Sequence, residues 1–180
     1  MSNENNVEIE RKWLVDLGVD IGSGLELVDE ASIVQGYITV TPEVRVRTMV
    51  RKGLSGSKKF YISLKSDGDL RRAEVEFNIT DKEFDDLMSI GDLKECQLIK
   101  KKYRKYKYGE HYIEVSTVDE GSISEFSYAE VEFNSIEEAN AFEPLDWFGE
   151  EVTYDKDYKM KSYWKTTRLG GDRKITRLNS

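Results

Sequence analysis

The segment Glu8-Ile9-Glu10-Arg11-Lys12 sets two carboxylates and an ammonium at alternate positions within the first dozen residues. In an extended chain successive side chains point to opposite faces, so Glu8, Glu10 and Lys12 share one side. Like charges in a row along one face repel. A fold that keeps them needs a neutralising positive charge, and a divalent cation is a common answer. The opening strand therefore points to a metal site.

The alternation recurs along the chain. Arg45-Val46-Arg47 puts two guanidiniums on one face, and Phe60-Tyr61-Ile62-Ser63-Leu64-Lys65 ends with an ammonium opposite an apolar row. Glu74-Val75-Glu76-Phe77 and Glu130-Val131-Glu132-Phe133 repeat the carboxylate pair, Lys102-Tyr103-Arg104-Lys105-Tyr106 gives a basic pair, and Tyr112-Ile113-Glu114-Val115 a single carboxylate. A half-solvated antiparallel sheet also reads apolar-in and charged-out. A solvated face, however, usually mixes signs to limit repulsion, whereas here like signs pair within each strand.

Closing these strands into a barrel with the charged faces inward gathers both signs in one lumen. Lys12, Arg45, Arg47, Lys65, Lys102 and Arg104 would then face Glu8, Glu10, Glu74, Glu76, Glu114, Glu130 and Glu132. Unpaired buried charge is too costly for a dry core, so such a lumen must hold water and a charged ligand. Basic side chains suit an oxygen-rich anion and clustered carboxylates suit hard cations, which together describe a metal-bound polyphosphate.

The 180 residues suffice for one domain with a real core, and 38% hydrophobic content is workable when part of the interior is polar. The net charge of -8 argues against general binding to nucleic acid or to anionic membranes, so a polyphosphate must be captured locally. A lone Cys96, read as packing, excludes an internal disulfide, and no Cys/His cluster has zinc spacing. No apolar run approaches a membrane span and Met1 to Asn6 is polar, which by default implies a reducing, cytoplasmic setting. His111, the one histidine, lies beside Gly109 in a hairpin turn and reads as a surface residue.

Ala73 to Asn78 and Ala129 to Asn134 are identical hexapeptides, each followed by a helix start. Thr80 with Glu83 and Ser135 with Glu138 fit the capping box, predicting helices over Asp81 to Ile90 and Ile136 to Phe142. The repeated strand-helix unit suggests two halves facing each other across the lumen. Turns at Pro42-Glu43, Gly53 to Ser57 and Lys107 to Glu110 predict a meander.

In this order the landmarks resemble the CYTH superfamily of triphosphate tunnel metalloenzymes. The likeness runs through Glu8-x-Glu10-x-Lys12, Gln35-Gly36-Tyr37, Arg45-x-Arg47, Lys65, Arg72 with Glu74 and Glu76, Lys102-x-Arg104, Glu114-Val115, Glu130-x-Glu132 and the closing segment from Trp147 to Tyr158. It implies an α+β fold, a closed eight-stranded antiparallel β-barrel with helices packed outside, as one domain over 1–169 with a polar tail over 170–180. It further implies hydrolysis of inorganic tripolyphosphate to pyrophosphate and phosphate with Mg2+ or Mn2+. By likeness, Lys12, Arg45, Arg47, Lys65, Lys102 and Arg104 would bind phosphate, Glu8, Glu10, Glu130 and Glu132 would hold metal, and Lys12, Tyr37, Glu74 and Glu76 would serve catalysis. The same family also hydrolyses thiamine triphosphate and cyclises ATP, and a binding module without turnover is a further alternative. A small-molecule triphosphate is the expected partner, neither nucleic acid nor membrane is, and a homodimer is left open. This chain departs from similar bacterial sequences at Ser116, where they often carry an acidic residue, and at Lys159, where they often carry asparagine.

Overall fold

The computed structural model describes residues 7–53 and 57–170. The predicted barrel is present: β1 (Val7–Val15), β2 (Glu26–Val40), β3 (Glu43–Arg51), β4 (Lys59–Lys65), β5 (Arg71–Ile79), β6 (Ile99–Tyr108), β7 (His111–Val118) and β8 (Phe126–Glu132) close in the order β1-β5-β4-β3-β2-β6-β7-β8. All neighbours are antiparallel, with β2 to β5 and β6 to β8 forming two meanders. The strand β1 joins them, pairing Glu8 with Arg72 on β5 and Glu10 with Glu132 on β8. The two repeated hexapeptides consequently flank one strand. The shared neighbour β1 closes the sheet between the two meanders.

Among the described residues three α-helices lie outside the strands: α1 (Asp81–Ile90), α2 (Ile136–Ala141) and α3 (Met160–Arg168). Thr80 caps α1 with a complete capping box, its hydroxyl accepting from the Glu83 amide while the Glu83 carboxylate accepts from the Thr80 amide. The second box is incomplete. Ser135 accepts from the Glu138 amide, but the Glu138 carboxylate takes the Asn134 amide instead, and α2 ends one residue earlier than the pattern suggested.

Outside the barrel, Trp13, Ile113, Val115, Ala129 and Val131 pack against Phe142 and Ala139. Arg11 points the same way, binding Glu151 with two nitrogens at 2.8 and 2.7 Å and the carbonyls of Ala139 and Phe142 at the end of α2. A guanidinium there satisfies orphaned helix carbonyls and suits the negative helix end. The closing segment docks on β1 through Gly149 N to Leu14 O and Val152 N to Lys12 O, both 2.8 Å. Gly149 is required by this approach, since a Cβ would lie 2.9 Å from the Leu14 carbonyl oxygen.

One end of the barrel is filled by aromatic residues. Trp164 of α3 stacks at a tilt on Tyr37 with ring centroids 5.5 Å apart, and its indole donates to the Gln97 carbonyl at 2.7 Å. Tyr163 packs on Phe126 and donates to Asp119 at 2.5 Å. This helix was not anticipated from sequence. Cys96 is exposed rather than packed, and His111 is half-buried, edge-on to Phe133 and Phe142. The expected tail beyond 170 lies outside the described residues.

Candidate active site

The pleat sends Glu8, Glu10 and Lys12 of β1 inward with Arg45 and Arg47 of β3, Lys65 of β4 and Glu74 and Glu76 of β5. Glu114 of β7 and Glu130 and Glu132 of β8 complete a charged cavity of about 530 Å³. Acidic and basic rows converge on a common lumen.

The phosphate-binding candidates are held by carboxylates. Arg45 meets Glu74 at 3.2 Å and Glu76 at 3.5 Å, Arg47 meets Glu76 at 2.8 Å, and Lys65 lies between Glu8 at 2.9 Å and Glu74 at 2.7 Å. Lys12 lies 3.2 Å from Glu130, its cross-strand neighbour on β8, and covers the Tyr128 ring. Arg47 Nε is buried with no hydrogen-bond partner among the described residues. Arg72 bridges Glu8 at 3.0 Å and Glu10. Glu74 and Glu76 thus aim the basic side chains across the lumen.

Glu8, Glu10 and Glu132 each place a carboxylate oxygen within 4.8 Å of the others, a donor set of hard oxygens from adjacent strands that fits a divalent cation. Glu130, the fourth ligand expected from likeness, instead faces Lys12. The electrostatics reflect the crowding. Burial and the nearby Glu130 raise the Glu10 carboxyl against the pull of Arg72. Although solvent reaches Glu132, desolvation and the charges of Glu114, Glu8 and Glu10 lift it to about 7. Burial works against ionisation of Glu8, but a hydrogen bond from Glu74 and the charges of Lys65 and Arg72 outweigh it and bring it to about 2. Glu74, sharing that hydrogen bond in its protonated form, is raised by burial and by Glu8 to about 7.

Tyr37 lies almost fully buried at the closed end, its hydroxyl accepting from Gln35 Nε2 at 3.2 Å. Burial pushes its pKa up, so it remains a donor.

The structure corrects one strand. Lys102 and Arg104 do not face the lumen; Lys102 is exposed and pairs with Glu120 on the outside. Lys101, Tyr103 and Lys105 line the cavity in their place. Lys101 donates to Tyr128 Oη at 2.8 Å, and burial, reinforced by Arg45, Lys12 and Arg47, lowers its pKa to about 7 against the pull of Glu130. A signal for this was available. The connection Gly109-Glu110 places Lys105 opposite Glu114, and cross-strand partners share a face. Once Glu114 is lumenal, Lys105, Tyr103 and Lys101 are too.

An inorganic triphosphatase of Nitrosomonas europaea is 36% identical over 155 residues, covering 86% of this chain and 95% of that protein. The chain belongs to the CYTH superfamily. The crystal structure of the inorganic triphosphatase NE1496 agrees with a TM-score of 0.55 at 32% identity, over 91% of this chain and 95% of that one. A conserved hypothetical protein from Pyrococcus furiosus shares the fold, with a TM-score of 0.53 at 24% identity over 74% of this chain and 83% of the other. No protein-family model matches the chain. Among the described residues no helix is long and apolar enough to cross a membrane.

Proposed function

We propose that this protein is a divalent-metal-dependent hydrolase that cleaves inorganic tripolyphosphate to pyrophosphate and phosphate within the tunnel. The observation that carries the reading is the convergence, in one cavity, of the Glu8, Glu10 and Glu132 cluster with Lys12, Arg45, Arg47, Lys65 and Lys101. The relative's name and the chain's near-complete coverage of it support the inorganic substrate.

Phosphoryl transfer to water asks a protein mainly for alignment and for neutralising charge on the transferred and leaving groups. Glu8, Glu10 and Glu132 would hold Mg2+ or Mn2+, which when bound neutralises phosphate charge and lowers the pKa of coordinated water. Arg45, Arg47 and Lys65, held inward by Glu74 and Glu76, turn their remaining N–H donors to phosphate oxygens. Lys12 and Lys101, stacked about the Tyr128 ring, donate from the tunnel floor. Tyr37 donates its proton toward substrate, because its oxygen already accepts from Gln35. With a lone cysteine and no apolar span, a cytoplasmic setting suits such a hydrolase.

Phosphate release from tripolyphosphate with Mg2+ or Mn2+, with ATP and thiamine triphosphate in parallel, tests the proposal. Absence of turnover with every cation, in protein shown to bind tripolyphosphate, removes the hydrolase claim.

A further inference from the structure

Lys12 of β1 and Lys101 of β6 come from strands that are not neighbours, yet both side chains converge on Tyr128 of β8. The Lys12 ammonium lies 3.6 Å from the centre of the Tyr128 ring. The Lys101 ammonium lies 5.5 Å from the same centre and donates to Tyr128 Oη at 2.8 Å. Tyr128 is 1% exposed and its ring packs at a tilt on Phe126, with centroids 5.7 Å apart, so the platform under the two ammoniums is fixed.

The two lysines are anchored differently. Lys12 is also paired with Glu130 at 3.2 Å, whereas Lys101 has no carboxylate in ion-pair contact among the described residues, and Tyr128 Oη is the polar atom that holds it. Burial, with Arg45, Lys12 and Arg47 close by, lowers the Lys101 pKa to about 7 against the pull of Glu130, so an oxygen that accepts from the ammonium favours its charged form. To reach Tyr128, Lys101 crosses the whole width of β7, since strands two apart lie roughly 10 Å from each other. The lumenal residue of β7 directly opposite Tyr128 is Ser116, which is small and 3% exposed. A carboxylate in its place would draw the Lys101 ammonium to itself and away from the phenol. The Ser116 departure therefore has a physical counterpart in the bond from Lys101 to Tyr128.

We infer that Tyr128 is the positioning residue for Lys101, its hydroxyl holding that ammonium beside the Lys12 ammonium over one shared ring, so that the two meet phosphate as a preorganised pair. This rests on reading the lumen as a phosphate site and adds a residue that acts there through another. A lysine that grips a ligand from a free state loses its rotamer freedom on binding, and one already held loses less. The ring face attracts both ammoniums through its quadrupole, with no carboxylate that phosphate would have to displace. An ammonium has three donors, so the bond to Tyr128 leaves Lys101 two for phosphate oxygens.

The test is a double-mutant cycle of Tyr128→Phe with Lys101→Met, with thermal melts to confirm folding. It is read as kcat/KM for tripolyphosphate with Mg2+ or Mn2+, and as the calorimetric Kd for tripolyphosphate with Ca2+. Tyr128→Phe keeps the ring under Lys12 and its packing on Phe126, and removes only the oxygen that Lys101 binds. In otherwise wild-type protein it should weaken binding and lower kcat/KM by about fivefold or more. In the Lys101→Met background it should change either by less than about twofold, because the side chain it acts through is gone. An equal loss in both backgrounds makes Tyr128 a packing residue and overturns the inference, as does no loss in either. The two readings fail separately: coupling in the Ca2+ titrations without turnover keeps the role of Tyr128 and removes the hydrolase, whereas turnover without coupling keeps the hydrolase and removes the role.

Discussion

Replacing Lys101 and Lys102 separately by methionine tests both the register of β6 and the tunnel it lines. Lys101 is lumenal, with its ammonium 2.8 Å from Tyr128 Oη and no carboxylate in ion-pair contact among the described residues. A charge-assisted hydrogen bond to phosphate is worth about 1.5–3 kcal/mol, so Lys101→Met should weaken tripolyphosphate binding about 10- to 100-fold. Lys102 lies outside, and its pair with Glu120 is half-exposed at both ends (50% and 56%), which puts its worth at about 1 kcal/mol or less. Lys102→Met should therefore leave tripolyphosphate affinity within about twofold of wild type, since no lumenal contact changes. Stability offers a second, independent readout. Lys101 has its pKa lowered to about 7 by burial, from an unfolded value of about 10.4. The folded protein then binds fewer protons than the unfolded chain between those values, so Lys101 costs most below about pH 7 and the cost fades as pH rises toward 10. Thermal melts of metal-free wild type should accordingly rise between pH 7 and 9, and that rise should vanish in Lys101→Met while persisting in Lys102→Met. Calorimetry that found affinity lost in Lys102→Met and kept in Lys101→Met would show the opposite register and refute the reasoning.

Glu10→Gln and Glu132→Gln should each weaken Mn2+ binding about tenfold or more without unfolding the protein, as read by calorimetry on substrate-free protein; unchanged affinity in both would remove the metal site from these residues. Trp164→Ala, which empties a buried site under α3 and deletes the bond to Gln97, should cost about 3–5 kcal/mol in urea unfolding, and a loss below about 1 kcal/mol would mean that α3 is not anchored there. Glu74 has a folded pKa of about 7 and an ordinary one near 4.5, so the folded state holds the extra proton and stability of the empty tunnel should fall as pH rises from 4.5 to 7. Melts in chelator that rose steadily across that window, or an identical profile in Glu74→Gln, would contradict this.

The barrel was legible because charge and apolarity alternate with period two on strand after strand, and because Glu10 and Glu132 had to find a common lumen to be tolerated. On β6 that signal is degenerate: Lys100, Lys101, Lys102, Arg104 and Lys105 place basic residues on both faces, so alternation alone does not choose between them. Only the hairpin to β7 breaks the tie, through Lys105 opposite Glu114. Helix α3 escaped notice for a different reason. Its buried face is essentially Tyr163 and Trp164, set among Lys161, Lys165 and Arg168, too brief an apolar stripe to declare a helix before the barrel end that it covers is known. The carboxylate cluster was legible in Glu8 and Glu10, whereas its third member, Glu132 rather than Glu130, depends on the cross-strand register that matches Glu130 to Lys12.

The pH arguments for Lys101 and Glu74 meet at one point. Glu74 makes the empty tunnel less stable as pH climbs to 7, and Lys101 relieves it only above 7, so together they set a minimum near neutrality. A lumen evolved only for stability would not be least comfortable there. Glu132, also raised to about 7, sharpens the minimum, because the Glu8, Glu10 and Glu132 carboxylates crowd one another without a cation between them. A cation and an anion arriving together address both sources of strain, the first by screening the carboxylates and the second by giving Lys101, Lys12 and Arg47 an oxygen-rich partner. Ligand that binds only the folded state adds about 2.7 kcal/mol at a hundredfold excess over Kd, and here it also withdraws a repulsion already present. Stabilisation by tripolyphosphate with metal should therefore be larger near pH 7 than near pH 5, where Glu74 and Glu132 are protonated and the empty tunnel has less repulsion to relieve.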